Sequence, residues 1–346
     1  MKKIKIAVVG LGMGRSHILG YKTHPSAEII AAVDIDKKRL NEIGKKEFNI
    51  KKLYTSIDDM LDNNKPDIVS IAVPNVFHKE MAVKALNSGC HVMCEKPMAM
   101  NAQEADEMLK ASKKSGRRLM VNFSYRFTEQ SFALKNQVKK GILGDIYFGR
   151  TVWHRRRGFP GFGGWFGKKE MSGGGPLIDL GIHRLDLALW LMDYPEPDWV
   201  MAGTFNHIGE EYAKREGVVF SVEDFGSAMI KFKNGAVLEL EASWAANIKD
   251  AEEMNTRLLG TKGGLVQKNK NEGYEFEAEF YLEKDGCLYD MKLHPPVPSS
   301  HNSYYHFVDS IINKTPHTPT GEEGYTVTKI LDAIYESADT GNPVKI

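Results

Sequence analysis

The sequence predicts a two-domain chain: an α/β half built on a doubly wound parallel sheet, then a β-rich half of different character. Three observations carry this. The 346 residues exceed the ~100–200 that a single core ordinarily serves. Up to Leu119-Met120-Val121, short apolar runs alternate with helix-compatible stretches, the order of a parallel sheet with crossover helices. From Phe123 onward that alternation gives way to longer strand-like runs and a stretch dense in glycine and aromatics. The boundary is therefore set between residues 1–122 and 123–346.

The first strand is Ile4 to Val9. Gly10-Leu11-Gly12-Met13-Gly14-Arg15 follows it directly, and Ser16 to Tyr21 reads as a helix. Strand, glycine turn and helix in this order make a dinucleotide-binding unit, in which glycines allow close backbone approach and the helix amino end favours a pyrophosphate. The spacing G-x-G-x-G is one residue tighter than the common form. A second strand, Ile29 to Val33, ends at Asp34, near the ~20-residue offset of the acid that binds the adenosine ribose. A carboxylate there repels a 2'-phosphate, and Asp36 adds to the bias, so NAD is expected in preference to NADP despite Lys37, Lys38 and Arg39.

The unit repeats. Asp67 to Val73 reads as a buried strand, Pro74-Asn75 as its exit turn, His78 to Ser88 as a helix and His91 to Cys94 as the next strand. Asn101 caps a helix with Glu104 three residues on, and Gly116 ends it. Ligands bind such sheets beyond the carboxyl ends of the strands, so Gly10 to Gly14, Asp34, Pro74-Asn75 and Glu95-Lys96-Pro97 are expected to line one crevice. For Asn75 and His78 the competing reading is a turn residue and a helix-start polar group.

Composition narrows the partners. Lysine and arginine number 46 against 45 aspartate and glutamate, a balance without the footprint of a nucleic-acid or anionic-membrane binder. The three cysteines lack paired spacings, which argues against a disulfide framework and a structural zinc site. No stretch approaches the ~20 apolar residues that span a bilayer, and Met1 to Lys5 runs straight into a strand without a secretory signal. A cytoplasmic protein with a small-molecule partner is expected.

In the second half, Tyr147 to Arg157 reads as a long strand, and Asp224 to Phe232 and Ala236 to Trp244 as a hairpin through Lys233-Asn234-Gly235. Between Phe159 and Gly167 lies Phe-Pro-Gly-Phe-Gly-Gly-Trp-Phe-Gly, too glycine-rich for a helix and too apolar for a plain linker. Aromatic faces suit the C–H faces of a sugar. The competing reading is an oligomer contact. Trp165, Tyr125, Arg126 and Arg156 are the candidate substrate contacts.

Glu95-Lys96-Pro97, the glycine loop, Pro74-Asn75-Val76-Phe77-His78 and Gly173-Gly174-Gly175-Pro176-Leu177-Ile178-Asp179-Leu180-Gly181-Ile182-His183 together resemble the Gfo/Idh/MocA family of oxidoreductases over nearly the whole chain. The resemblance implies an amino-terminal Rossmann domain and a carboxy-terminal α+β domain on a large open, mostly antiparallel sheet. It implies homodimers or homotetramers assembled through that sheet. The implied reaction is NAD(P)-dependent oxidation of a hydroxyl on a sugar, glycoside or inositol-like polyol. The glycine loop and Asp34 would hold the cofactor, and Lys96, Asp179 and His183 would be catalytic.

The residue types suit that chemistry. Removing hydride from an alcohol leaves a proton for a base and an alkoxide for a donor, and histidine titrates near neutrality. Asp179 and His183, four apart, share a helical face, and Asp186 continues it; alone, they also read as a solvated or capping pair. The flanking glycines suggest that something approaches closely. A metal held by Asp179, His183 and one of His294, His301 or His306 is the rival chemistry, but no metal is expected, because hydride transfer needs no Lewis acid. The competing functions are a glycoside-cleaving enzyme with retained NAD and a nucleotide- and sugar-binding regulator.

Overall fold

Six parallel strands form the first sheet, in the order β3-β2-β1-β4-β5-β6, in a computed structural model that describes residues 3–294 and 301–346. The strands are β1 (Ile4–Val9), β2 (Ala27–Val33), β3 (Lys52–Tyr54), β4 (Ile68–Ile71), β5 (His91–Cys94) and β6 (Leu119–Val121). Between them run α1 (Leu11–Lys22), α2 (Lys37–Arg39), α3 (Ile57–Asn63), α4 (His78–Asn87) and α5 (Ala102–Ser115). The order reverses at β1, as in doubly wound folds. Strands β1 and β4 are almost wholly buried, as expected of a sheet covered on both faces. The Asn101 side chain caps α5 through the Glu104 amide at 2.9 Å, while Glu104 reaches back to the amide of Met100 at 3.2 Å. Gly116 ends the helix at φ 64.

The second sheet has nine strands in the order β14-β13-β12-β11-β7-β10-β9-β8-β15. They are β7 (Ile146–Arg155), β8 (Pro197–Phe205), β9 (Phe225–Phe232), β10 (Val237–Ser243), β11 (Glu252–Gly260), β12 (Gly263–Asn269), β13 (Phe276–Lys284), β14 (Cys287–Lys292) and β15 (Val344–Lys345). Every neighbouring pair is antiparallel except β7 and β10, which run parallel from Phe148↔Val237 to His154↔Ser243. Helices α6 (Glu129–Lys139), α7 (Lys169–Ser172), α8 (Ile182–Leu191) and α9 (His207–Glu216) accompany it. Leu187 and Leu191 of α8 and Leu134 of α6 join Leu258, Leu265, Ala278 and Phe280 of the sheet in one apolar core.

The chain divides into two compact units, residues 1–123 with 301–328, and residues 124–300 with 329–346. Residues 301–328, which the sequence reading assigns to the second half, thus cluster with the first. Their helix α10 (Ser303–Asn313) packs on α1, where a Cβ on Gly20 would lie 2.1 Å from the Tyr304 ring. Glycine at position 20 makes room for that ring. The following helix α11 (Gly321–Thr340) contributes to both units. No described helix is long and apolar enough to cross a membrane, and Cys90, Cys94 and Cys287 are free thiols.

Candidate active site

In the first unit the three glycines of the loop do different work. Gly10 takes φ 86, and a Cβ there would lie 2.3 Å from the Ala72 carbonyl oxygen. Gly14 lets α1 pack on β1, since its Cβ would meet Val8 at 2.8 Å. Gly12 faces open space, where a Cβ would meet only Arg39 Nη1 at 3.4 Å. An accessible, side-chain-free surface at the amino end of a helix is what a pyrophosphate requires. The residues therefore fit a dinucleotide. Met13 is exposed, and Arg15 points to Glu47, its Nη2 at 2.8 Å from Oε1.

Asp34 is buried at the end of β2. Its Oδ2 accepts from the Leu11 amide and its Oδ1 from the Asp36 amide, each at 2.8 Å. The carboxylate thereby ties the second strand's exit to the start of α1. Arg39 lies 3.6 Å from Asp34 and is held by Asp36 at 3.1 Å, so the basic residue beside the pocket is already paired with carboxylates.

Pro74 and Asn75 form the exit turn of β4, with Asn75 buried. His78 is fully buried; its Nδ1 lies 2.7 Å from the Pro97 oxygen and its Nε2 2.9 Å from the Val73 oxygen. It clamps the β4 exit to the segment after β5. Burial pushes its imidazole below the ordinary value, against the two carbonyls and Glu95, with Lys96 adding to the depression.

Glu95 sits in a buried network that sequence spacing did not reveal. Its Oε1 accepts from His17 Nε2 at 2.8 Å and from Asn122 Nδ2 at 2.6 Å, and its Oε2 from the Lys96 amide at 3.2 Å. His17 Nδ1 meets Ser70 Oγ at 2.8 Å, and Ser303 donates to Asn122 Oδ1 at 2.7 Å. Burial alone pushes the Glu95 carboxyl up, but His17, Asn122 and the charge of Lys96 outweigh it and hold the group below its ordinary value. The Lys96–Pro97 peptide is cis.

In the second unit, Asp179 lies in a π-helical turn, Leu177–Gly181, that runs into α8, whose second residue is His183. Such turns inside α-helices recur at functional sites. The close approach implied by the glycines is made by the protein itself: Cβ atoms on Gly174 and Gly175 would lie 2.0 Å from the Tyr335 hydroxyl and 2.1 Å from the Glu223 carbonyl oxygen. The buried Glu223 carboxylate accepts from the Gly175 amide at 2.9 Å, the Leu177 amide at 3.1 Å and the Tyr335 hydroxyl at 2.9 Å. Burial raises its carboxyl above the ordinary value against those bonds. Glu223 anchors the turn that carries Asp179.

Asp179 Oδ2 accepts from the Trp244 indole at 2.9 Å. Trp244 is the centre of an aromatic cluster with Phe159, Phe166 and Phe220, so the glycine-aromatic loop packs inward beside Asp179. Gly163 and Gly167 admit Val218 and Phe220, at 3.2 and 3.1 Å from a would-be Cβ. Trp165 is half-buried and stacks on Phe166 with ring centroids 3.9 Å apart.

The His183 ring lies against Tyr125 at 4.9 Å and Trp153 at 5.8 Å. Tyr125, Asp179, His183 and the Trp244 cluster therefore belong to one neighbourhood of this unit. Arg126 does not join them. It is fully buried, and its Nε and Nη2 donate to Asp186 at 2.8 and 2.6 Å; the third residue of the predicted face, Asp186, is its ion-pair partner. Arg156 is exposed, with Nη1 on the Lys249 oxygen at 3.2 Å. The residues that sequence reasoning missed are His17, Glu223 and Trp244; none belongs to a local motif, and the paired strands and buried carboxylates that reveal them are separated by tens of residues.

The comparisons with known proteins agree in kind. Residues 4–123 match the family described as an oxidoreductase family with an NAD-binding Rossmann fold, and residues 135–346 its C-terminal alpha/beta domain. The chain is 34% identical over 354 residues to D-glucoside 3-dehydrogenase of Escherichia coli, covering 99% of this chain and 97% of that protein. It is 26% identical to glucose-6-phosphate 3-dehydrogenase of Bacillus subtilis, over 100% of this chain and 99% of that one. Among solved structures, aldose-aldose oxidoreductase from Caulobacter crescentus superposes with a TM-score of 0.84 at 26% identity, covering 100% of both chains.

Proposed function

From the premise that this chain belongs to the Gfo/Idh/MocA oxidoreductase family, with its NAD-binding Rossmann domain, we propose that it oxidises the position-3 hydroxyl of a D-glucoside to a ketone. The near-full-length relationship to D-glucoside 3-dehydrogenase carries this reading, and the name of the Bacillus relative points to the same carbon of a glucose.

Bound NAD+ supplies the acceptor for the hydride that leaves the carbinol carbon. His183 takes the hydroxyl proton, and the electron pair of the O–H bond becomes the second bond of the carbonyl. Lys96 donates to the oxygen as its negative charge grows. Asp179, held by Trp244, accepts from a neighbouring sugar hydroxyl and orients the ring. Gly12 and Asp34 receive the pyrophosphate and the adenosine ribose, which favours NAD over NADP. His78 acts one step removed, by fixing the turns around Asn75 and Pro97. The protein works in the cytoplasm as a homodimer or homotetramer joined through the nine-stranded sheet, on which Met201, Phe205 and Met229 are exposed.

Purified protein given NAD+ and a methyl glucoside should form NADH in step with ketone, and His183→Ala should abolish it. Full turnover by that variant removes the assignment. Release of the aglycone without net NADH would instead support a retained-cofactor elimination.

A further inference from the structure

Arg184, the residue after His183, is a fully buried cation without a carboxylate partner among the described residues. Its Nη1 reaches Gln267 Oε1 only at 3.5 Å, its Nη2 faces the Met254 sulfur at 4.0 Å, and its Nε makes no hydrogen bond. Instead, its guanidinium carbon lies over the rings of Tyr125, Phe276 and Trp153 at 4.8, 5.1 and 5.6 Å. Cation–π contacts offset part of the cost of burying a charge, but an unpaired buried ion is expensive for the fold to keep. Methionine or leucine would fill such a pocket without that cost.

Two of the three rings also touch His183, Tyr125 at 4.9 Å and Trp153 at 5.8 Å. The cation and the imidazole therefore share contacts with the same two rings. Other charges near these rings are largely neutralised in pairs. Arg155 of β7 is on Glu252 of β11 at 2.8 Å, and that carboxylate also accepts from Trp153 and Tyr274 at 2.6 and 3.1 Å. Arg126 is on Asp186. Asp179, in the preceding turn, is an acid that pulls the other way. Burial lowers the Arg184 guanidinium to about 10, opposed by Tyr125, which leaves it charged through the neutral range.

We infer that Arg184 is an electrostatic positioning residue: its buried charge, against two rings that also touch His183, keeps the imidazole neutral and favours negative charge on the reacting oxygen. A nearby cation disfavours imidazolium, so the base is ready at a lower pH than histidine alone would allow. The inference rests on the assignment of His183 as the base.

The test is the pH profile of kcat/KM for glucoside oxidation by NAD+ in five proteins: wild type, Arg184→Met, Arg184→Gln, Arg184→Lys and His183→Asn. Loss of the charge should move the acidic limb of Arg184→Met upward by about one pH unit, with its melting temperature unchanged or raised. Arg184→Lys should restore the limb. A limb that stays at the wild-type position in Arg184→Met overturns the inference, as does failure of both Arg184→Met and Arg184→Gln to fold, which would make the residue structural. If the limb survives His183→Asn, the assignment of the base has failed; if His183→Asn removes it and Arg184→Met leaves it in place, only the role of Arg184 has.

Discussion

The indole of Trp244 donates to Oδ2 of Asp179 at 2.9 Å, which joins the end of β10 to the π-helical turn leading into α8. Trp244→Phe keeps the aromatic packing and deletes only the donor. A hydrogen bond to a charged group is worth ~1.5–3 kcal/mol, so an untethered Asp179 should lower kcat by about ten-fold or more. Steady-state kinetics with melting curves check this: a variant that melts like wild type but turns over slowly fits, and unchanged kcat removes the positioning role.

Gly10 and Gly12 should respond oppositely to alanine. At Gly10 the left-handed backbone costs ~1–2 kcal/mol, and the added Cβ would strike the Ala72 carbonyl, so Gly10→Ala should lose more than ~3 kcal/mol or fail to fold. Gly12→Ala should fold normally and bind NAD about ten-fold more weakly or worse, because its methyl enters the space assigned to the pyrophosphate. Denaturant melts and calorimetric titration of NAD separate the two, and normal NAD affinity in Gly12→Ala would count against the cradle.

Asp34→Ala removes the acceptor for two backbone amides together with the acid assigned to the ribose. NAD affinity should fall about ten-fold or more, and stability by ~1–3 kcal/mol as the amides lose their partners. Unaltered NAD affinity at reduced stability would leave Asp34 with its structural role alone.

Burial lowers the His91 imidazole to about 4, with Arg117 and Arg118 adding to the effect; its Nδ1 accepts from the Arg118 amide at 3.0 Å. Between about 4 and the unfolded value of about 6.5, the unfolded chain binds more protons, so stability falls as pH drops through that window. His91→Asn, which keeps an acceptor but does not titrate, should flatten that dependence. Chemical denaturation from pH 4 to pH 7 reads it directly, and an identical slope in the variant would show that other groups set it.

The Rossmann half was legible because its signals are local. A run such as His91 to Cys94 is buried on both faces, and Gly10 and Asp34 sit at strand ends whose spacing the βαβ unit dictates. The sequence reading placed β5 and β6 at their observed limits. The second half was harder. Its runs β11 and β13 alternate like many surface strands, and the parallel pairing of β7 with β10 depends on partners almost ninety residues apart. No short window carries that register.

The site divides in the same way. Lys96, Asp179 and His183 stand out because motif spacing and the chemistry of alcohol oxidation select them one residue at a time. Trp244, Glu223, His17 and Arg184 carry no such mark, since a tryptophan or a buried ion becomes significant only through what it touches. Arg126 shows the converse: an arginine near the junction reads as a ligand contact until the fold sets it on Asp186. The sequence by itself determined the element order of the first half and the nucleotide loop, and singled out the residues proposed for proton transfer, because backbone conformation and residue chemistry are local properties. Only the tertiary structure decided which side chains hold those residues in place, because burial, desolvation and hydrogen bonding arise between segments that the chain order keeps apart.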